Sequence, residues 1–413
     1  MRVRSLLFSV LVCLVLCGPA ALYLAERAGA AVPLWLTTED ANYLSGSEES
    51  ANVAAVATLE GFETKAVQAA VETEVSAHVP AKASALLATA AWQRGAITAS
   101  NVLFGWECYP TFYDSGIVDI PSESRLAEIA KKADEDITAC ARRVAAGMDA
   151  LGREFPDRRF FVYLSPDTLN VSGTPTEGLV SNPLTYEGIQ ALFEEQDGAF
   201  QMIDGDVGYG DFKGQWFSTD HHWNNAGAYA AYCRIASALG FGDELLKPEG
   251  EVVYDEPAFY GALARQGLVT GYSDRIADYA FRDFPNLTVS INGNAASEED
   301  VVHREMYAEG GWDANRYANR YAEYYHGDKG LIEFGNPDAP TDAELLIVTD
   351  SNSNSMERWL AAHYRTTYAL DPRHASVTVG DFLEKHDGVT DVVFIMREAN
   401  LLYETTEEAL ALS

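Results

Sequence analysis

The stretch Leu345-Leu346-Ile347-Val348-Thr349-Asp350-Ser351 decides the reading of this chain. Four consecutive apolar residues are too few for a helix and read as a strand buried on both faces, ending in a short polar turn before a helical segment at Ser353–Tyr364. Two further runs have the same character, Phe160-Phe161-Val162-Tyr163-Leu164 and Val392-Val393-Phe394-Ile395-Met396. Helical spacing separates them. Leu126, Ile129, Ala133, Ile137, Val144, Met148 and Leu151 predict a helix over Ser122–Phe155, capped by Ser122 or Ser124. Thr367–Leu370 reads as extended and Phe382–His386 as helical. Alternating helices and apolar strands imply an α/β fold, a parallel sheet flanked by helices. Between residues 251 and 342 the period breaks into short polar, aromatic-rich pieces, which predicts an irregular insertion over the sheet edge.

A serine placed after a buried parallel strand and before a helix is presented at the carboxyl end of the sheet, where helix N–H groups can face a developing oxyanion. Ser351 therefore qualifies as a nucleophile, although a strand ending in Asp-Ser that merely caps the next helix has the same sequence. Serine needs an imidazole to accept its proton and a carboxylate to orient that imidazole. Asp220-His221-His222-Trp223 supplies both types. In an extended segment residues two apart share a side, so Asp220 orients His222 as the base while His221 points the other way. Trp223 packs beneath the loop, and Asn224–Gly240 forms a helix that anchors it. His221, Trp223, Asn352 and Arg373 are candidates for substrate or oxyanion contacts. Arg373, in Asp371-Pro372-Arg373, would bind an acyl oxygen or a sugar carboxylate, or simply pair with Asp371. A metal held by Asp220, His221 and His222 is the competing reading. Adjacent histidines do not readily face one ion, no Cys-x-x-Cys or His-Glu-x-x-His spacing occurs, and no Gly-rich phosphate loop follows a strand, so no cofactor is expected.

Gln215-Trp216-Phe217-Ser218-Thr219-Asp220-His221-His222-Trp223 with Ala226-Gly227-Ala228, and Leu346-Ile347-Val348-Thr349-Asp350-Ser351, resemble the DHHW proteins. These are relatives of the alginate O-acetyltransferases within the SGNH hydrolase superfamily. Weaker echoes are Tyr260-Gly261, Tyr325-His326-Gly327-Asp328 and Leu370-Asp371-Pro372-Arg373, so the likeness runs from about Phe104 to the C-terminus. It implies an SGNH-like sheet with permuted motif order, Asp-His before Ser. It further implies an O-acetyltransferase acting on a cell-surface glycan and supplied with acyl groups by a membrane-bound O-acyltransferase. An esterase with the same triad, and an inert glycan-binding module of an export complex, are the alternatives.

Met1-Arg2-Val3-Arg4 precedes an apolar run from Leu6 to Ala25. About 20 apolar residues can cross a bilayer, and flanking arginines favour an inside N-terminus. Residues 1–30 are thus expected to be a single-pass signal-anchor, or a signal peptide cleaved near Ala28-Gly29-Ala30, with the remainder extracytoplasmic. Residues 31–103, rich in Ala, Val and Glu, read as a juxtamembrane helical segment, and 104–413 as the catalytic domain. A net charge of −33, spread along the chain, argues against nucleic acid as a partner. Outside the apolar run the cysteines are Cys108, Cys140 and Cys233, an odd set that permits at most one internal disulfide.

Overall fold

The computed structural model describes residues 2–33, 36–37, 51–113, 115–128, 134–168, 171–177, 186–196 and 198–402. Its strands are β1 (Tyr109–Pro110), β2 (Ile117–Ile120), β3 (Arg125–Glu128), β4 (Arg159–Ser165), β5 (Gln201–Ile203), β6 (Pro248–Phe259), β7 (Asp274–Phe281), β8 (Thr288–Ile291), β9 (Asn294–Ala296), β10 (Leu331–Gly335), β11 (Glu344–Thr349), β12 (Thr366–Leu370) and β13 (Val389–Arg397). The main sheet has eight strands in the order β5-β4-β13-β11-β12-β10-β8-β9. The pairings from β5 through β12 are parallel, and β10, β8 and β9 continue the sheet antiparallel. β11, the strand carrying Asp350-Ser351 at its end, lies between β13 and β12.

The apolar runs are buried on both faces because side chains alternate along a strand. Leu345, Ile347, Val393, Ile395, Phe161 and Tyr163 face one core, with Ala228, Tyr232 and Ile235 of the helix Asn225–Ala236 and with Trp359. Leu346, Val348, Val392, Phe394, Phe160 and Val162 face the other. That second core is closed by Val144, Met148 and Leu151 of the helix Asp134–Glu154 and by the helices Tyr186–Glu194 and Val379–Lys385. Each such side chain contributes about 1.5–3 kcal/mol when fully buried, which makes this register of β11 hard to shift.

Two expectations are corrected. The helix predicted from Ser122 begins at Asp134, and residues 125–128 form β3, hydrogen-bonded antiparallel to β2. Arg125 accounts for this: it is buried and donates to the carbonyls of Lys213, Trp216 and Phe217, tying the strand to the histidine loop. Ile129 and Ala133 of the predicted helix lie outside the described residues. The segment expected to be an irregular insertion is also more regular than its sequence suggests. It holds the β6–β7 hairpin and the strands β8, β9 and β10 that widen the main sheet.

The apolar run is helical within Arg2–Arg27, but among the described residues no helix is long and apolar enough to cross a membrane. Helices at Val53–Val56, Leu59–Glu63, Ala66–Ala77 and Lys82–Phe104 follow it. None of the five cysteines is in a disulfide, and Cys108 and Cys140 are buried.

Candidate active site

Residues 217–222 form a tight loop closed at its base by an antiparallel bridge between Trp216 and Trp223. Phe217 N–H donates to the His222 carbonyl and Asn224 N–H to that of Gln215. Asn224 caps the helix Asn225–Ala236 through the N–H groups of Ala226 and Gly227. Gly227 admits this approach: a Cβ there would lie 2.2 Å from the Gln215 carbonyl oxygen. Asp274 on β7 accepts from the N–H groups of Ser218 and Thr219, fixing the loop from a second direction.

This loop meets the end of β11. Asp220 Oδ1 lies 2.5 Å from His222 Nδ1, and His222 Nε2 lies 2.9 Å from Ser351 Oγ. Asp220 Oδ1 also accepts from His222 N–H at 3.0 Å, and Oδ2 from Ala262 N–H at 2.6 Å. Burial pushes the Asp220 carboxyl upward. His221, His222 and the Ala262 N–H outweigh that effect and hold it well below the usual carboxylate range. An ionised carboxylate only accepts, so the imidazole proton resides on Nδ1 and Nε2 is left to accept the Ser351 hydroxyl.

His221 does not point away from His222 as alternation predicts. The two rings lie 4.1 Å apart, because the segment is a bend and not a strand. Its Nδ1 is 3.9 Å from Asp220 Oδ1. Burial, then the neighbouring His222 and Arg397, lower its pKa well below the ordinary value, so the ring is neutral near pH 7. Asp220, His221 and His222 each place a ligand-type atom within 4.8 Å of the others. Trp223 is buried as expected, and its Nε1 donates to Ser355 Oγ at 3.0 Å.

The turn after β11 differs from expectation. In place of one helix over Ser353–Tyr364, a single 3-10 turn, Ser353–Ser355, precedes the short helix Glu357–Ala361. The N–H groups of Asn352 and Ser353 are already engaged, by Asp350 Oδ1 at 2.9 Å and the Asp350 carbonyl at 3.2 Å. Asn352 Nδ2 donates to Asp350 Oδ1 at 3.0 Å, while its buried Oδ1 has no partner. Asp350 Oδ2 accepts from Arg397 N–H and Asn400 Nδ2, so this buried carboxylate ties the nucleophile turn to the end of β13. Arg373 is held by Asp371 through three hydrogen bonds and by Asp328 at 3.4 Å, so pairing accounts for its position.

Two contacts escaped the sequence reading. The Ala262 N–H, beside Gly261, supports Asp220, a role only hinted at by the Tyr260-Gly261 echo. Tyr321 stacks on His222, and no motif signals it. A cavity of about 360 Å³ lined by Asp278, Tyr279, Phe281, Phe284, Arg304 and Arg358, among others, includes none of Asp220, His222 and Ser351.

Residues 212–370 match the family model described as DHHW protein. No curated protein matches the chain. Among solved structures, a DHHW family protein from Eubacterium siraeum is 17% identical with a TM-score of 0.55, covering 71% of this chain and 95% of that one. Bacillus cereus PatB1, solved with a sulfonyl adduct, is 19% identical with a TM-score of 0.54, covering 69% and 96%. At such identities these likenesses establish the mixed α/β fold with its large, mostly parallel sheet. The part of the chain that matches the DHHW family model contains Asp220, His222 and Ser351.

Proposed function

We propose that the chain is an extracytoplasmic O-acyltransferase that acetylates a cell-surface glycan through an acyl-Ser351 intermediate. The observation that carries this reading is the unbroken line Asp220–His222–Ser351, with contacts of 2.5 and 2.9 Å, at the carboxyl end of a central parallel strand. Ser351 Oγ attacks the acyl carbonyl as its proton passes to His222 Nε2. The imidazolium, paired with Asp220, then protonates the leaving group as its bond to the acyl carbon breaks. A glycan hydroxyl next delivers its proton to His222 and attacks the acyl-serine, releasing Ser351 with its proton restored. His221, neutral and partly exposed beside this line, is suited to contact a sugar hydroxyl.

Membrane placement is supported by the apolar run Leu6–Ala25 and by the exposed Trp92, Val102, Leu103 and Phe104 on the helix before the catalytic region. On this reading the donor comes from a membrane-bound O-acyltransferase, because an extracytoplasmic enzyme has no acetyl-CoA pool. Water could take the place of the glycan, giving an esterase, so acceptor partition is the test. The full-length chain is incubated with an activated acetyl ester and increasing oligosaccharide, and both products are followed by mass spectrometry. Acetylated oligosaccharide should rise as free acetate falls. Acetate alone at every acceptor concentration would make the chain an esterase.

A further inference from the structure

Tyr321 belongs to the short helix Arg320–Tyr324, which is fixed by the buried Arg320 donating to Glu323 and to the carbonyl of Asp313. Its ring is buried, with its centroid 3.7 Å from that of His222 and the planes only 9° apart. Its hydroxyl donates to the Ser351 carbonyl oxygen at 2.8 Å. The same peptide unit is held at its other end, where Asn352 N–H donates to Asp350. Burial keeps the phenol protonated, since its pKa lies well above the ordinary value. One side chain therefore touches both the imidazole and the backbone of the serine.

Hydrogen bonds at Nδ1 and Nε2 lie in the imidazole plane and resist tilting weakly. A face-to-face ring blocks that motion, and its π face meets the positive charge that appears on the imidazole when it takes the serine proton. We propose that Tyr321 is the positioning residue of this site, holding the His222 ring by its face and the Ser351 backbone by its hydroxyl. The inference rests on the Ser351–His222 reading above.

The test measures two quantities on the full-length chain: the rate of Ser351 labelling by a small sulfonyl fluoride, and kcat and KM for an activated acetyl ester. Tyr321→Leu removes ring and hydroxyl; Tyr321→Phe removes the hydroxyl alone. Misplacing reacting groups by an ångström costs up to about a hundredfold, so Tyr321→Leu should slow labelling and kcat by about 10- to 100-fold with KM unchanged within about twofold. Tyr321→Phe should recover most of this, leaving a deficit of about three- to tenfold, the effect of one neutral hydrogen bond. If Tyr321→Leu does not fold, the Phe variant with its unchanged KM decides the matter. Wild-type labelling in either variant, a Phe variant as slow as Leu, or a loss carried entirely by KM overturns the proposal. Ser351→Ala distinguishes the underlying reading: undiminished turnover there would refute the acyl-serine itself, whereas dependence on Ser351 with indifference to Tyr321 would refute only the positioning role.

Discussion

Gly261→Ala perturbs the site without replacing any triad residue. Gly261 has φ −68° and ψ 177°, a conformation open to alanine, so the cost is steric and not conformational. A Cβ at this position would lie 2.4 Å from both Asp220 Cβ and the Thr219 carbonyl oxygen, and 2.6 Å from the Thr219 carbonyl carbon. Ordinary contact begins at 3.4 Å, so the loop must retreat by 3.4 − 2.4 = 1.0 Å. The obstructing atoms are backbone and a Cβ, which have no rotamer with which to yield. Retreat also stretches the 2.6 Å bond from Ala262 N–H to Asp220 and the 3.0 Å bond from Gly261 N–H to Thr219 Oγ1. Overpacking of this kind costs about 1–3 kcal/mol of stability. A 1 Å displacement of the orienting carboxylate should lower kcat for a small acetyl ester by about 10²-fold. Thermal unfolding and steady-state kinetics on the purified variant check both figures. Activity within about threefold of wild type in a variant of unchanged stability would show that the Gly261–Asp220 packing does not position the base.

His222→Ala should lower acetyl-ester turnover by about 10³-fold or more, while His221→Ala keeps a substantial fraction. Equal, severe losses that a chelator reproduces in the wild type would favour a metal held by Asp220, His221 and His222 instead. His363 is buried against Tyr232 and Phe241, and burial lowers its pKa from 6.5 to about 4. Between those values the unfolded chain binds a proton that the folded chain does not, so this contribution to stability is complete above pH 6.5 and is lost as pH falls to 4. The loss approaches roughly 3 kcal/mol. Denaturant titrations of wild type and His363→Gln across this range should show the slope reduced in the variant; identical slopes would contradict it.

The buried strands were legible because Leu345–Val348 and Val392–Met396 carry no polar residue on either face, and only a strand covered on both sides accommodates that. The catalytic candidates were legible by type, since Asp220, His222 and Ser351 occur in short recognisable stretches. What sequence hid was non-local. Arg125 forms its bonds with residues about 90 positions away, and these turn a stretch of helical spacing into β3. The orientation of His221 was misjudged because the Trp216–Trp223 bridge closes a bend where alternation does not apply. β8, β9 and β10 join the sheet at its antiparallel edge, where partial exposure weakens the apolar pattern on which strand recognition depends. Tyr321 could not be singled out among Tyr317, Tyr321, Tyr324 and Tyr325, because only the folded chain selects which ring reaches His222.

The central claim is that Ser351 becomes covalently acylated with His222 as its base. Brief exposure of the full-length chain to an activated acetyl ester, acid quenching and peptide mapping test it most directly. The account predicts a single acetyl adduct on the peptide containing Ser351, absent in Ser351→Ala and slowed by about 10³-fold in His222→Ala. An adduct on another residue, or turnover of the ester with Ser351 never labelled and its alanine variant fully active, would contradict it.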